Sequence, residues 1–188
     1  KYRRVGNKLD LPDVYVVALQ HPVTTEFQVA RRQIEETLFA LNSLSVSVLW
    51  FWPNSDAGAD GTSNGIRAFR ESVKPQNMHF FKNLEGCDFL RLLYNSKCIV
   101  GNSSVGVREC SCLGVPAVNI GSRQLGRDRG ENVIDVGYDK QEIKAAVEKC
   151  LVNGKYPRSF IYGKGDSGKK IAEILAVCEL RVDKKITY

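Results

Sequence analysis

The chain has 188 residues, 43% of them hydrophobic and 26% charged, with a formal net charge of +6. That length suits one domain with a substantial core, and no run approaches the roughly 20 apolar residues a membrane span needs. The Lys and Arg residues are scattered rather than interleaved with stacking aromatics, which argues against a nucleic-acid surface, and the charged start Lys1–Asp10 is unlike a signal peptide, so a cytoplasmic protein is expected.

Lys1–Pro12 is charge-rich and aperiodic and reads as a linker tail ahead of a domain spanning residues 13–180. Val14–Gln20 is an apolar, β-branched strand, and Glu26–Leu44 carries Val29, Ile34, Leu38 and Leu41 near helical spacing. The alternation continues with strand Val46–Trp52, helix Gly65–Val73, strand Met78–Phe81 and helix Cys87–Asn95. Short strands Lys97–Val100 and Val115–Ile120 flank a helix Val105–Leu113, and Asn132–Val136 is the last strand. Helices Lys140–Leu151 and Ser167–Leu180 follow, then a polar tail over residues 181–188.

Strands that are apolar throughout and separated by helices predict an α/β, doubly wound parallel sheet of Rossmann-like type, because parallel pairing needs crossovers and buries both faces. In such sheets ligands lie beyond the carboxyl ends of the strands, so the loops after strands become the candidate sites.

The strongest local signal is Gly101-Asn102-Ser103-Ser104-Val105-Gly106, between a strand and a helix. Small residues let a ligand approach the backbone, and Ser103 or Ser104 can cap a helix whose N–H groups favour an anion such as diphosphate. An ordinary capping turn has the same composition. Glu109, early in the expected helix, is suited to accept bonds from vicinal hydroxyls or simply to help the helix start. His21 ends the first strand and Pro22 stops it there, which leaves the imidazole at the ligand edge. Asn54 and Asp56 follow the second strand, and Arg123, Arg127 and Arg129 form a basic loop after Val115–Ile120.

Gly163–Lys169 has P-loop spacing, but Lys170 stands where Ser or Thr is required and no apolar strand enters the loop, so it reads as a turn before a helix. The six cysteines form no CxxC pair and there are two histidines, so neither a metal nor another cofactor is expected.

Four ordered segments, Ala18–Glu26, Pro53–Gly58, Gly101–Glu109 and Gly121–Arg127, resemble the hydrolysing UDP-N-acetylglucosamine 2-epimerases, and the resemblance runs from Val14 to Gly163. It implies the C-terminal, nucleotide-binding half of the two-domain GT-B fold, with UDP and UDP-N-acetylglucosamine as ligands and a homo-oligomer at full length. It also implies an N-terminal domain outside this chain that supplies the carboxylates acting on the sugar, so the chain alone is expected to be inactive. By the same resemblance His21 assists the departing diphosphate, Ser103, Ser104 and Glu109 meet phosphate and ribose, Asn54 and Arg123 line the nucleotide cleft, and Asn83-Leu84 lies beside uracil. Arg67 and Arg70 match a pair that belongs, in the animal enzyme, to a CMP-sialic acid feedback site. Two other readings share the nucleotide site: half of a GT-B glycosyltransferase, and a non-catalytic nucleotide-binding module.

Overall fold

The computed structural model describes residues 11–179, together with a short antiparallel backbone pairing of β1 (Tyr2–Arg3) with β2 (Lys8–Leu9). The expected tail over residues 181–188 lies outside the described residues. Six strands form one parallel sheet: β3 (Tyr15–Leu19), β4 (Ser47–Phe51), β5 (Met78–Phe81), β6 (Ile99–Gly101), β7 (Ala117–Ile120) and β8 (Val133–Val136). Their order across the sheet is β5-β4-β3-β6-β7-β8. The chain therefore winds outward in one direction from β3 and then in the other from β6, which creates a topological switch point between these neighbours.

Although the strands are largely apolar, their side chains alternate between two cores. Val16, Ala18, Val48, Trp50 and Val100 face one cluster with Ile34, Leu38 and Leu41 of α1 (Ala30–Asn42), Ile66 and Phe69 of α2 (Ala59–Val73), and Ile143 and Val147 of α6 (Lys140–Asn153). Tyr15, Val17, Leu49, Phe51 and Phe81 face the other, with Leu92 and Leu93 of α3 (Gly86–Asn95). Helices α1 and α2 approach closely at Gly65, where an added Cβ would stand 2.7 Å from Ile34 Cγ2.

Three helical expectations are corrected. Helix α2 begins at Ala59, six residues before Gly65, because Gly58 turns the chain with φ +93° and its carbonyl accepts from the Thr62 hydroxyl at 3.2 Å. The polar run through Asn64 hid this first turn from hydrophobic periodicity. The segment expected as one helix from Glu26 starts instead as a 3-10 turn, Thr24–Val29, in which Glu26 has non-helical φ −123° and ψ 21°. The helix expected over Val105–Leu113 breaks at Arg108 (φ −102°, ψ −75°) into α4 (Ser104–Val107) and α5 (Glu109–Leu113). The last helix, α7 (Ser167–Val177), follows the Gly163–Asp166 turn without an entering strand. Among the described residues, no helix is long and apolar enough to cross a membrane.

Candidate functional site

At the switch point, the loops after β3 and β6 are tied together by one side chain. Asn102 is fully buried; its Oδ1 accepts from the His21 backbone N–H at 2.7 Å and its Nδ2 donates to the His21 carbonyl at 2.8 Å. A buried amide with both ends satisfied in this way fixes the two loops rigidly, whereas an apolar replacement would orphan two backbone groups. The strands approach so closely here that a Cβ on Gly101 would sit 2.1 Å from the Leu19 carbonyl oxygen, and Gly101 holds φ +136°. Only glycine meets both demands.

The loop after β7 joins from the other side. Gln124, 1% exposed, donates from Nε2 to the Asn102 carbonyl at 2.8 Å, and Arg123 Nη1 reaches the same carbonyl at 3.4 Å. Arg123 Nη2 lies 3.4 Å from Asp56 Oδ2, which itself accepts from Asn54 Nδ2 at 2.6 Å. Both Arg123 contacts are longer than an ordinary N–H···O bond, so the guanidinium is held loosely where a bound anion would compete for it.

His21 is half-buried in this crevice. The Asn54 backbone N–H donates to its Nδ1 at 3.1 Å, so the neutral ring carries its proton on Nε2. Burial and the positive charge of Arg123 push its pKa down to about 4, against a smaller opposing effect of Asp56. At neutral pH the site therefore presents an uncharged imidazole with an N–H donor beside a guanidinium.

Ser103, nearly buried, is the N-cap of α4 and accepts from Val105 N–H at 3.4 Å, while Ser104 is the first residue of that short helix. Glu109, expected early in one longer helix, is the first residue of α5 because of the break at Arg108. Its Oε2 is buried without a hydrogen-bond partner, an arrangement that is costly for a carboxylate oxygen unless a ligand supplies donors.

Asn83 and Leu84 follow β5, two strands from β3; Asn83 is exposed, and Leu84 packs against the core beneath. They sit at the same edge of the sheet but outside the bonded cluster. Arg67 lies over the Trp52 ring at 5.8 Å and Arg70 over Phe80 at 4.8 Å, so the two arginines cover different aromatic surfaces along α2. Arg129, expected as part of a basic ligand loop, is instead a strut: it donates to Asp135 at 2.7 Å and to the Gln124 carbonyl at 3.0 Å.

His21, Ser103 and Arg123 follow the ends of β3, β6 and β7, as the sequence predicts, but the side chains that join these loops are not among the expected site residues. Asn102 lay inside the motif without a role, and Gln124 carried no signal except its adjacency to Arg123. The available clue was an amide residue directly after a glycine at a strand end. Among the described residues, no three His, Cys, Asp or Glu side chains converge on a possible metal position.

Sheet order, glycine approach and convergent polar loops define the class: a doubly wound, Rossmann-like α/β domain whose candidate site is the crevice at the switch point. A family model described as UDP-N-acetylglucosamine 2-epimerase matches residues 2–176, and the chain belongs to that family. The UDP-N-acetylglucosamine 2-epimerase of Neisseria meningitidis serogroup B is 30% identical over 166 residues, covering 86% of this chain and 42% of the relative. The UDP-N,N'-diacetylbacillosamine 2-epimerase (hydrolyzing) of Legionella pneumophila is 29% identical over 170 residues, 90% of this chain and 44% of its own length. The solved structure of the Methanocaldococcus jannaschii UDP-GlcNAc 2-epimerase, in complex with UDP-GlcNAc and UDP, has the same fold, with a TM-score of 0.64 at 20% identity over 87% of this chain and 45% of that one. The chain thus spans less than half the length of these relatives.

Proposed function

We propose that this chain is the UDP-binding, C-terminal half of a hydrolysing UDP-N-acetylglucosamine 2-epimerase, converting UDP-N-acetylglucosamine and water to N-acetylmannosamine and UDP when joined to the rest of the protein. The observation that carries the reading is the Asn102 clamp, which brings the loops bearing His21, Ser103 and Arg123 to one crevice.

In this reading the diphosphate lies across the Ser103-Ser104 turn with Arg123 on its charge. Glu109 Oε2, buried and unpartnered, accepts from the ribose hydroxyls. Asn54 borders the cleft, and Asn83-Leu84 flanks the base. An arriving diphosphate favours the imidazolium and raises the His21 pKa from about 4; the second proton goes on Nδ1, which requires the Asn54 N–H to release that nitrogen, and Nε2–H is then the proton donor to the departing phosphate oxygen. Taking the carbon-bound proton beside the acetamido group needs a second base on the opposite side of the sugar. That base is assigned to the remainder of the longer protein, so this chain by itself binds UDP without turnover. Arg67 and Arg70 remain candidates for a regulatory nucleotide-sugar contact, each now resting on an aromatic ring.

Calorimetric titration with UDP, UMP and ADP tests the reading. Saturable binding selective for UDP is expected. Equal binding of ADP, or none of UDP, would contradict it. Proton NMR of UDP-N-acetylglucosamine incubated with the chain is expected to show no UDP release; sustained release would place the whole active site in these residues.

A further inference from the structure

We propose that Glu26 is a positioning residue that sets the aim of Arg123 through its neighbour Ser122, a role that rests on the nucleotide reading above. Glu26 lies in the turn between His21-Pro22 and α1, with non-helical backbone angles. There it accepts from three side chains on three elements: Ser122 Oγ in the loop after β7, Gln33 Nε2 on α1 at 2.5 Å, and Tyr138 Oη after β8 at 3.2 Å.

A carboxylate that merely caps a surface turn does not gather donors from elements 7, 96 and 112 residues away. The Ser122 bond is the main reason the Glu26 carboxyl titrates below its usual range, so it is charged at neutral pH. Tyr138 stays protonated as a donor, its pKa pushed up to about 12 by burial and then by the Glu26 charge. The loop is pressed onto that ring: a Cβ on Gly121, which holds φ +72°, would stand 2.2 Å from Tyr138 Cζ.

The segment is gripped from its other flank as well, since Arg129 holds the Gln124 carbonyl and Gln124 holds Asn102. Ser122 and Gln124 are thus both fixed, while Arg123 between them makes only the 3.4 Å contacts to Asn102 and Asp56. Its direction is set by the backbone that Glu26 and Arg129 hold, not by its own bonds. Of these two grips, the one at Glu26 also connects directly to the His21 loop five residues away in sequence.

The test reads the two imidazoles, His21 and His79, by proton–nitrogen correlation NMR as a function of pH, and UDP affinity by calorimetry, on this chain. In Glu26→Ala and in Ser122→Ala, the His21 pKa is expected to rise by about one unit as the Arg123 charge drifts away. UDP binding should weaken by about ten- to a hundredfold, the loss of one charge-assisted hydrogen bond. Glu26→Gln, which keeps an acceptor for Ser122, should retain most of the wild-type behaviour in both readouts, and His79 should not move. Loss of a negative charge alone would lower a histidine pKa, so a rise reports movement of Arg123 and not deletion of the carboxylate. Unchanged His21 titration in folded Glu26→Ala overturns the proposal, and Ser122→Ala decides in the same way if that variant does not fold. Failure of the wild-type chain to bind UDP would instead sink the nucleotide reading, with the His21 titration still reporting on the loop.

Discussion

One outer flank of the sheet and its central switch point are built on opposite chemistry. On the β4–β5 side the strands are packed by aromatic and aliphatic side chains, with Phe51 stacked on Phe81 at 5.4 Å and set edge-on to Phe89 at 5.0 Å. At the β3–β6 switch point, one strand pair further in, buried amides predominate: Gln20, Asn102 and Gln124 are all at most 3% exposed. Apolar burial stabilises without directional demands, whereas each buried amide costs free energy unless its partners are placed. The contrast teaches that the outer flank supplies stability and the inner crevice uses some of it to hold three loops in one arrangement.

Substitutions can separate the two roles. The largest combined effect is expected for Asn102→Ala, which should lower stability by about 2 to 4 kcal/mol by orphaning the His21 backbone groups and should also abolish measurable UDP binding. Denaturant unfolding and calorimetry check the two halves of that statement; UDP affinity preserved in a folded variant would detach the clamp from the site. Leu49→Ala, at a fully buried position of β4, should cost a comparable 2 to 5 kcal/mol or so from the cavity it leaves, yet bind UDP normally below its melting temperature. A loss of affinity there would mean the two regions are not separable.

Glu109→Ala is expected to do the reverse of Leu49→Ala. UDP binding should weaken by about 1.5 to 3 kcal/mol while the unfolding midpoint holds or rises, because the variant removes a buried oxygen that has no partner. A destabilised variant with unchanged affinity would assign Glu109 to the fold.

Acid sensitivity distinguishes the regions next. The folded-state pKa of His21 is depressed from 6.5 to about 4, so the unfolded chain binds the extra proton first, and this contribution to stability is present above pH 6.5 and lost as the pH falls toward 4. Glu26 is also depressed, and its contribution is lost at lower pH, as its carboxyl protonates below 4.5. Stability measured from pH 7 to 4 should fall by about 1 to 2 kcal/mol more in wild type than in His21→Asn, allowing for solvent screening of a half-buried ring. Parallel curves would remove His21 from the account of acid loss. Smallest of all, Arg70→Ala should change stability by less than about 1 kcal/mol, the size of a single partly exposed cation–π contact, and leave UDP affinity alone. A UDP effect there would extend the site across α2.

Much of this division was legible in the chain itself. The strands announced themselves as apolar runs, and Met78–Phe81 was bounded to the residue. The Gly-Asn-Ser-Ser turn and the His-Pro stop marked both loops of the switch point, because glycine and proline constrain backbone locally. What escaped was tertiary. The first turn of α2 is polar and its cap is a left-handed glycine, so periodicity did not see it. The break at Arg108 leaves no proline or glycine signature at the residue itself, and it is the break that makes Glu109 the start of a helix. Asn102 and Glu26 work through partners 81 and 96 residues away, distances at which no local pattern speaks.

The most direct test of the central claim is a titration of the isotope-labelled chain with UDP, following the imidazole nitrogens of His21 and His79. The switch-point site predicts a saturable shift of the His21 Nε2 resonance and a rise of its pKa from about 4 as the diphosphate arrives, with His79 on β5 unperturbed. Saturable UDP binding that leaves His21 unmoved, or that moves His79 alone, would contradict it.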